Sequence, residues 1–426
     1  MENKYLFKMF FKYIIMNVLG MVGISCYILA DTFFVARGIG SDGLAALNLA
    51  IPIYSFINGA GLMIGMGGAT RYSISKSNTI FTQSLHLTLM LSGILVAMGL
   101  FLPDQIATLL GADMVTHQMT SIYVKVILCL SPAFMLNTLM ICFVRNDENP
   151  RLPMIAMLLG SLSNIILDYI FIFIFDMGMF GAAIATGIAP IVSLMVLSRH
   201  ITGKKNTFHL ERSKLVLYAF KDISLLGLPS LIAELSSGIV MIIFNSLLLG
   251  LVGNLGVAAY GIIANIAIVI LSIFTGIAQG IQPIVSKNYG DGNFGNTGRT
   301  LKYGIVVTFA FAVFVYILSF VFAQPVVNIF NKDQDLQLAK IAIGGLRIYF
   351  IAFIFGGANI LFASYFAAVD RPKNAFNISI LRGFILVVPL AFILTKLFGL
   401  TGIWLTVPIT ELLVLCFSAG LVTHIP

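Results

Sequence analysis

Charged residues are scarce in this chain. Only 10% of its 426 residues are Asp, Glu, Lys or Arg, against about a quarter in water-soluble domains. A chain of this length cannot cover a water-facing surface with so little charge, so most of its exterior must face lipid. Cysteine and histidine are also rare, with four and five copies. Cys26, Cys129, Cys142 and Cys416 lie in apolar runs and form no C-x-x-C pair, which excludes a disulfide framework and a cysteine metal site. The histidines share no metal-ligand spacing. Neither the zinc signature H-E-x-x-H nor the nucleophile elbow G-x-S-x-G occurs. The net charge of +8 comes without a basic arm interleaved with aromatics, so it does not indicate nucleic acid as a partner.

Apolar residues make up 59% of the chain. A membrane-crossing helix needs roughly 20 consecutive apolar residues. By that measure twelve spans are expected, at about 9–36, 44–71, 80–102, 118–144, 152–175, 179–199, 222–251, 255–286, 299–323, 337–368, 373–398 and 401–423. The expected class is therefore an all-α, multi-pass membrane protein. The first apolar run follows Lys4, Lys8 and Lys12, as in a secretory signal. It is too long for a signal core and no small-residue cleavage site closes it, so it reads as an uncleaved span. Gly38-Ile-Gly40-Ser-Asp-Gly43 matches G-x-G-x-x-G literally, but it follows a membrane span rather than a strand, which argues against a dinucleotide site. Gly61-x-x-x-Gly65 and Gly276-x-x-x-Gly280 read as close-packing devices between helices.

The basic residues test this topology. With the N-terminus on the inner side, 18 of the 25 Lys and Arg fall in inner segments and 4 in outer ones (Arg37, Lys332, Lys340 and Lys396). The other three, Lys125, Arg347 and Arg382, lie within spans. That asymmetry predicts an inner-side N-terminus under the positive-inside rule, and with an even span count both termini are cytoplasmic. The one long polar connection, 200–221, divides the chain into lobes at 1–199 and 222–426. Gly40-Ser-Asp-Gly43-Leu-Ala-Ala matches Gly253-Asn-Leu-Gly256-Val-Ala-Ala at an offset of 213, and Gly178-Met-Phe-Gly181 matches Gly399-Leu-Thr-Gly402 at an offset of 221. Two repeats of six spans each face the same way. They are expected to be related by a pseudo-two-fold axis along the membrane normal, with a binding site where they meet.

Four polar residues lie deep in the first lobe. Asp168 stands in the run Asn164-Ile-Ile-Leu-Asp168-Tyr-Ile-Phe-Ile. An unpaired ionisable side chain at that depth costs at least ~2.5–3.5 kcal/mol. Asn164 is one helical turn away on the same face. At 1.5 Å rise per residue, Asp31 lies ~28 Å above Lys12, Asp168 ~25 Å above Arg151, and Thr186 ~10 Å below the outer end of its span. Asp31, Asn164, Asp168 and Thr186 can therefore meet at one point. Their counterparts by the repeat are Phe244, Ile385, Pro389 and Val407, so the set belongs to one half only. All-oxygen ligands suit a hard cation such as Na⁺, and two neighbouring carboxyls can equally share a proton. The alternative is a structural hydrogen bond from Asp168 to Asn164 or to a helix end. In the second lobe, Glu234 and Glu411 sit near the midplane as candidates for a cationic substrate or a proton, the alternative being pairing with Arg347 or Arg382.

Several segments resemble one known family. Leu29-Ala-Asp31-Thr-Phe-Phe-Val through Gly43-Leu-Ala-Ala is similar to the first-span signature of the MATE (multidrug and toxic-compound extrusion) family. Gln279-Gly-Ile-Gln-Pro-Ile with Asn288-Tyr-Gly resembles its eighth-span motif. Asn149-Pro-Arg, Asn164-Ile-Ile-Leu-Asp168, Gly181-Ala-Ala-Ile-Ala-Thr186 and Gly402-Ile-Trp404 also fit, with the bacterial MepA-like branch most similar. The resemblance implies a V-shaped, two-lobed, non-enzymatic exporter of cationic amphiphilic compounds. It implies an exporter in the bacterial cytoplasmic membrane, surrounded by lipid and functional as a monomer. It would have no cofactor and would be driven by Na⁺ or H⁺. The resemblance also assigns cation binding to Asp31, Asn164, Asp168 and Thr186, and makes Glu234 the seventh-span acid. A lipid-linked saccharide flippase is the rival of related fold; it would carry Arg or Lys in its central cavity, whereas mid-span basic residues are few here, Arg347 and Arg382. An intramembrane enzyme would need a catalytic set that is not visible, and a passive channel could not accumulate substrate against a gradient.

Overall fold

The computed structural model describes residues 2–422 except 215 and 332–333; among them there is no β-strand. Lys332, one of the four expected outer basic residues, lies outside the described residues. In hydrocarbon every backbone N–H and C=O must bond within its own segment, and long apolar runs therefore become helices. The first half comprises α1 (Glu2–Gly38), α2 (Ser41–Ser75), α3 (Asn78–Phe101), α4 (Pro103–Leu109), α5 (His117–Cys129), α6 (Ser131–Asn146), α7 (Arg151–Tyr169) and α8 (Gly178–Thr202). The second half comprises α9 (Leu217–Val252), α10 (Asn254–Gly290), α11 (Phe294–Val321), α12 (Ala323–Phe330), α13 (Leu336–Tyr349), α14 (Ala352–Ala368), α15 (Pro372–Ile380), α16 (Val387–Phe398) and α17 (Leu400–Val422). Ten unbroken helices are long and apolar enough to cross a membrane, and two bent pairs bring the number to twelve.

The irregularities come in matched pairs. The expected fourth span is α5 and α6, bent by 49° just before Pro132, and the tenth is α13 and α14, bent by 46°. Proline explains only the first bend, since it cannot donate to the preceding turn. At the second, Phe350 is buried against Phe353, with ring centroids 4.9 Å apart. The fifth and eleventh spans each contain a π-helical turn, at Ile170–Ile174 and Leu381–Ile385. The short helices α4 and α12 follow the third and ninth spans. Gly40 and Gly253 have φ of 96° and 71°, and Gly178 and Gly399 have 53° and 57°. The two glycine motifs detected as repeats thus turn the chain through the left-handed region, where side chains are disfavoured.

Two hydrophobic cores form, and they do not follow the chain boundary. Leu6, Phe10, Tyr13 and Ile14 of α1 belong to the core of the second half, whereas Phe220 and Ile223 of α9 belong to that of the first. Each lobe lends the beginning of its first helix to the other. The seam this makes is tight. A Cβ added at Gly67 would lie 2.0 Å from the Ile223 carbonyl, and one at Gly227 would lie 1.8 Å from the Met63 carbonyl. Gly276 and Gly280 bring α10 against Val18 and Ile14 of α1 in the same way, while Gly61 and Gly65 close on α6.

Polar contacts join the halves at the ends of the helices where most of the Lys and Arg lie. Arg71 donates to both oxygens of Asp370, at 3.1 and 2.8 Å, and to Asp222 at 2.7 Å. Gln282 donates to Thr70 at 2.6 Å, and Arg145, fully buried, donates to Asn17 and Gln279 at 3.0 Å each. Lys76 pairs with Asp291 and Lys287 with Glu148. The connection between the halves is strapped to this same face. Phe208 is buried among Phe81, Phe143 and His200, and Gln83 donates to Ser213 and to the Lys214 carbonyl.

Candidate cation site in the first half

Asp31 lies on α1, Asn164 and Asp168 on α7, and Thr186 on α8, and all four side chains are buried. α7 packs against both α1 and α8. Asn164 and Asp168 share a face because they are four residues apart in a continuous helix, and the π turn begins only two residues later, at Ile170. With its amide nitrogen toward Asp168, the Asn164 side chain satisfies both of its polar atoms. It donates to Asp168 Oδ2 at 3.1 Å and accepts from the Thr186 backbone N–H at 3.3 Å. The Thr186 hydroxyl donates to the Ala182 carbonyl at 3.0 Å, which leaves its lone pairs available. The carboxyl groups of Asp31 and Asp168 are neighbours, close enough to hydrogen-bond when one of them carries a proton. One oxygen of each, Oδ1, has no partner.

This arrangement constrains the chemistry. Two carboxylates in contact repel strongly in a low-dielectric setting. Among the described residues no Lys, Arg or His forms an ion pair with either of them. A proton or a cation must therefore accompany the pair. No group of three or more His, Cys, Asp and Glu side chains suited to a metal ion occurs among the described residues. Any metal ion held here would rely on the Asn164 and Thr186 oxygens in addition to the two acids.

A tyrosine cluster that the sequence reading did not single out adjoins the acids. Tyr27 is one turn from Asp31 on α1, and its hydroxyl is hydrogen-bonded to that of Tyr54 on α2. Tyr54 is within electrostatic reach of both Asp31 and Glu234, and Tyr123 lies against Thr186. The i, i+4 spacing of Tyr27 and Asp31 was the available signal. Glu234 itself sits on α9 at the top of the seam, where its Cβ is 3.1 Å from a Cβ built on Gly59. Its carboxylate has no hydrogen bond or ion pair among the described residues.

Glu411 is placed differently. It is buried in the second half, accepts from Arg382 Nη2 at 2.6 Å and Nε at 3.1 Å, and accepts from Asn359 at 2.8 Å. Its charge is thus matched by Arg382, the pairing that the sequence allowed as the alternative. Arg347 is not involved; it lies over the Phe320 ring, 4.8 Å from the centroid.

Known proteins share this architecture. The family profile MatE matches residues 17–170 and 229–393. A Staphylococcus saprophyticus protein described as the multidrug export protein MepA is 27% identical over 421 residues, covering 96% of this chain and 92% of its own. Among solved structures, the MATE multidrug transporter DinF-BH superposes with a TM-score of 0.89 at 28% identity, over 98% of this chain and 95% of its own. A MOP superfamily transporter from Pyrococcus furiosus gives a TM-score of 0.88 at 24% identity, over 98% and 96% of the two chains, a likeness of fold. Because the profile accounts for most of the sequence and the two-lobed, twelve-span architecture is the same, the chain belongs to the MatE family, the multidrug and toxic-compound extrusion proteins.

Proposed function

We propose that this protein is a secondary active multidrug exporter that expels cationic amphiphilic compounds by antiport against a cation, through alternating access between its lobes. The observation that carries the reading is the buried contact of Asp31 with Asp168, which lacks a cationic side chain and must exchange a proton or an ion to change state. Two neighbouring carboxyls without a cationic partner can share one proton, which supports H⁺ as the coupling ion. The all-oxygen surroundings supplied by Asn164 and Thr186 support Na⁺ as the second reading.

The basic-rich face is the cytoplasmic side of a bacterial membrane by the positive-inside rule. The lobes meet along that face, so this conformation is the one closed to the cytoplasm. Glu234 stands where the closed seam ends and can receive a cationic substrate. The Tyr27–Tyr54 pair lies between it and the acid pair. Binding at one site then changes affinity at the other only through the difference between conformational states. Substrate or proton reaching Glu411 must first displace Arg382. On this reading the spans are surrounded by lipid and one chain carries the whole cycle.

Inverted vesicles carrying the full chain test this directly. Uptake of a fluorescent cation is expected under an inward-acid pH gradient and to be lost in Asp31→Asn, with the variant still folded by its melting profile. Dependence on an imposed Na⁺ gradient alone would select the second reading. Uptake that equilibrates but never accumulates, whichever gradient is imposed, would identify a passive channel and defeat the proposal.

A further inference from the structure

A second polar site lies on α4 and α5, on the opposite face of the molecule from the basic belt. A cavity of about 270 Å³ opens between α4 and α5 and is lined by Pro103, Asp104, His117, Gln118, Ser121, Ile122 and Lys125. Asp104 is fixed by Ser121, whose hydroxyl donates to Asp104 Oδ1 at 2.6 Å, which leaves Oδ2 free. His117 Nε2 meets Thr108 Oγ1 at 3.1 Å and the Asp104 carbonyl at 3.2 Å, tying α4 to α5. Lys125 is two turns below His117, inside the fourth span, yet its side chain is exposed. Among the described residues it forms no ion pair. A lysine in a lipid-facing span extends its ammonium toward the nearest polar layer, and here that layer holds Asp104.

The surroundings are apolar and outward-facing. Leu100, Phe101 and Leu109 are exposed beside the recess, Phe101 by 77%, and Met114 is wholly exposed. A pocket bearing both signs of charge, set in an apolar rim at the membrane boundary, is complementary to a molecule with a zwitterionic head and hydrocarbon chains. The order of charges agrees. Lys125 comes from the deeper turn, where a phospholipid carries its phosphate, and Asp104 from the boundary helix, where the amine lies. No Phe, Tyr or Trp lines the recess. Quaternary ammonium groups are recognised by the faces of such rings, whereas a primary ammonium is matched by a carboxylate with charge-assisted hydrogen bonds.

We propose that this recess binds the headgroup of an aminophospholipid from the leaflet at the non-basic face, with the phosphate on Lys125 and the primary ammonium on Asp104. The proposal is independent of the coupling ion and of the transported substrate. It is tested by native mass spectrometry of the full chain, extracted from nanodiscs containing equal parts of phosphatidylethanolamine, phosphatidylcholine and phosphatidylglycerol.

The wild type is expected to retain phosphatidylethanolamine over phosphatidylcholine by about tenfold, the discrimination of one well-made charged contact. Asp104→Asn keeps an oxygen acceptor for Ser121, so it should fold and should reduce that ratio to about one. Lys125→Gln should lose both lipids. Equal retention of ethanolamine and choline lipids by the wild type would overturn the proposal, as would variants that leave the ratio unchanged. Preferential retention of phosphatidylglycerol would overturn the role given to Asp104.

Discussion

The two halves share an architecture and treat buried charge in opposite ways. In the first, Asp31 and Asp168 face each other with an amide and a hydroxyl for company. In the second, Glu411 is held by Arg382 and Asn359, and Ser418 in turn donates to Asn359 at 3.3 Å. By the offset of 221, Arg382 and Glu411 fall opposite Ser161 and Pro190, and Asn164, Asp168 and Thr186 fall opposite Ile385, Pro389 and Val407. Neither cluster is copied in the other half. An acid matched by an arginine keeps its charge and its position. Two acids without one keep neither unless something mobile joins them. One scaffold therefore contains an arginine-matched acid in one half and an acid pair without a cationic side chain in the other.

The largest expected effect breaks the exchangeable site. Asp168→Asn should lower ion-driven export by about two orders of magnitude or more, since on the proposed reading it removes the coupling group; initial rates in inverted vesicles measure this. Glu411→Gln should leave coupling largely intact and act on stability instead. If Glu411→Gln abolished coupling while Asp168→Asn did not, the roles of the two halves would be reversed.

Breaking the anchor should come next in size. Arg382→Met leaves Glu411 buried and unmatched, and is expected to destabilise the protein by about 3–5 kcal/mol, read as a lower melting temperature in detergent. The double variant Arg382→Met with Glu411→Met removes both charges and should recover most of that loss, because the cost arises from the unpaired ion. No recovery would mean that the network around Asn359 carries the stability.

The smallest expected effect sharpens the first-half site. Thr186→Val removes the hydroxyl but keeps the shape, and the Asn164 amide still has the Thr186 position's backbone N–H to accept from. Loss of one neutral oxygen contact corresponds to about 1 kcal/mol. A severalfold rise in the ion concentration needed for half-maximal export is the predicted outcome, with the maximal rate preserved.

Much of this was readable along the chain. Hydropathy located all twelve spans, and the paired glycine motifs at Gly40 and Gly253 and at Gly178 and Gly399 marked turns that the structure makes with positive φ. Depth counting put Asp31, Asn164, Asp168 and Thr186 at a common level, because rise per residue in a straight helix is constant. The bends before Pro132 and at Phe350, and the two π turns, were not read. Each is a local departure from ideal geometry that a hydropathy window averages away. The crossed packing of α1 and α9, each seated partly in the other lobe's core, was equally hidden, since chain order says nothing about which core an apolar residue enters.

The sequence alone determined the membrane class, the repeat, and the number of acids placed in hydrocarbon. These depend on how much apolar residue is strung together and at what interval, quantities that are additive along one dimension. Only the tertiary structure decided which acid stays uncompensated. Glu411 and Asp168 are equally costly as isolated residues. Their difference rests on direction around the helix axis and across the lobe, which brings Arg382 within 2.6 Å of one and another carboxyl against the other.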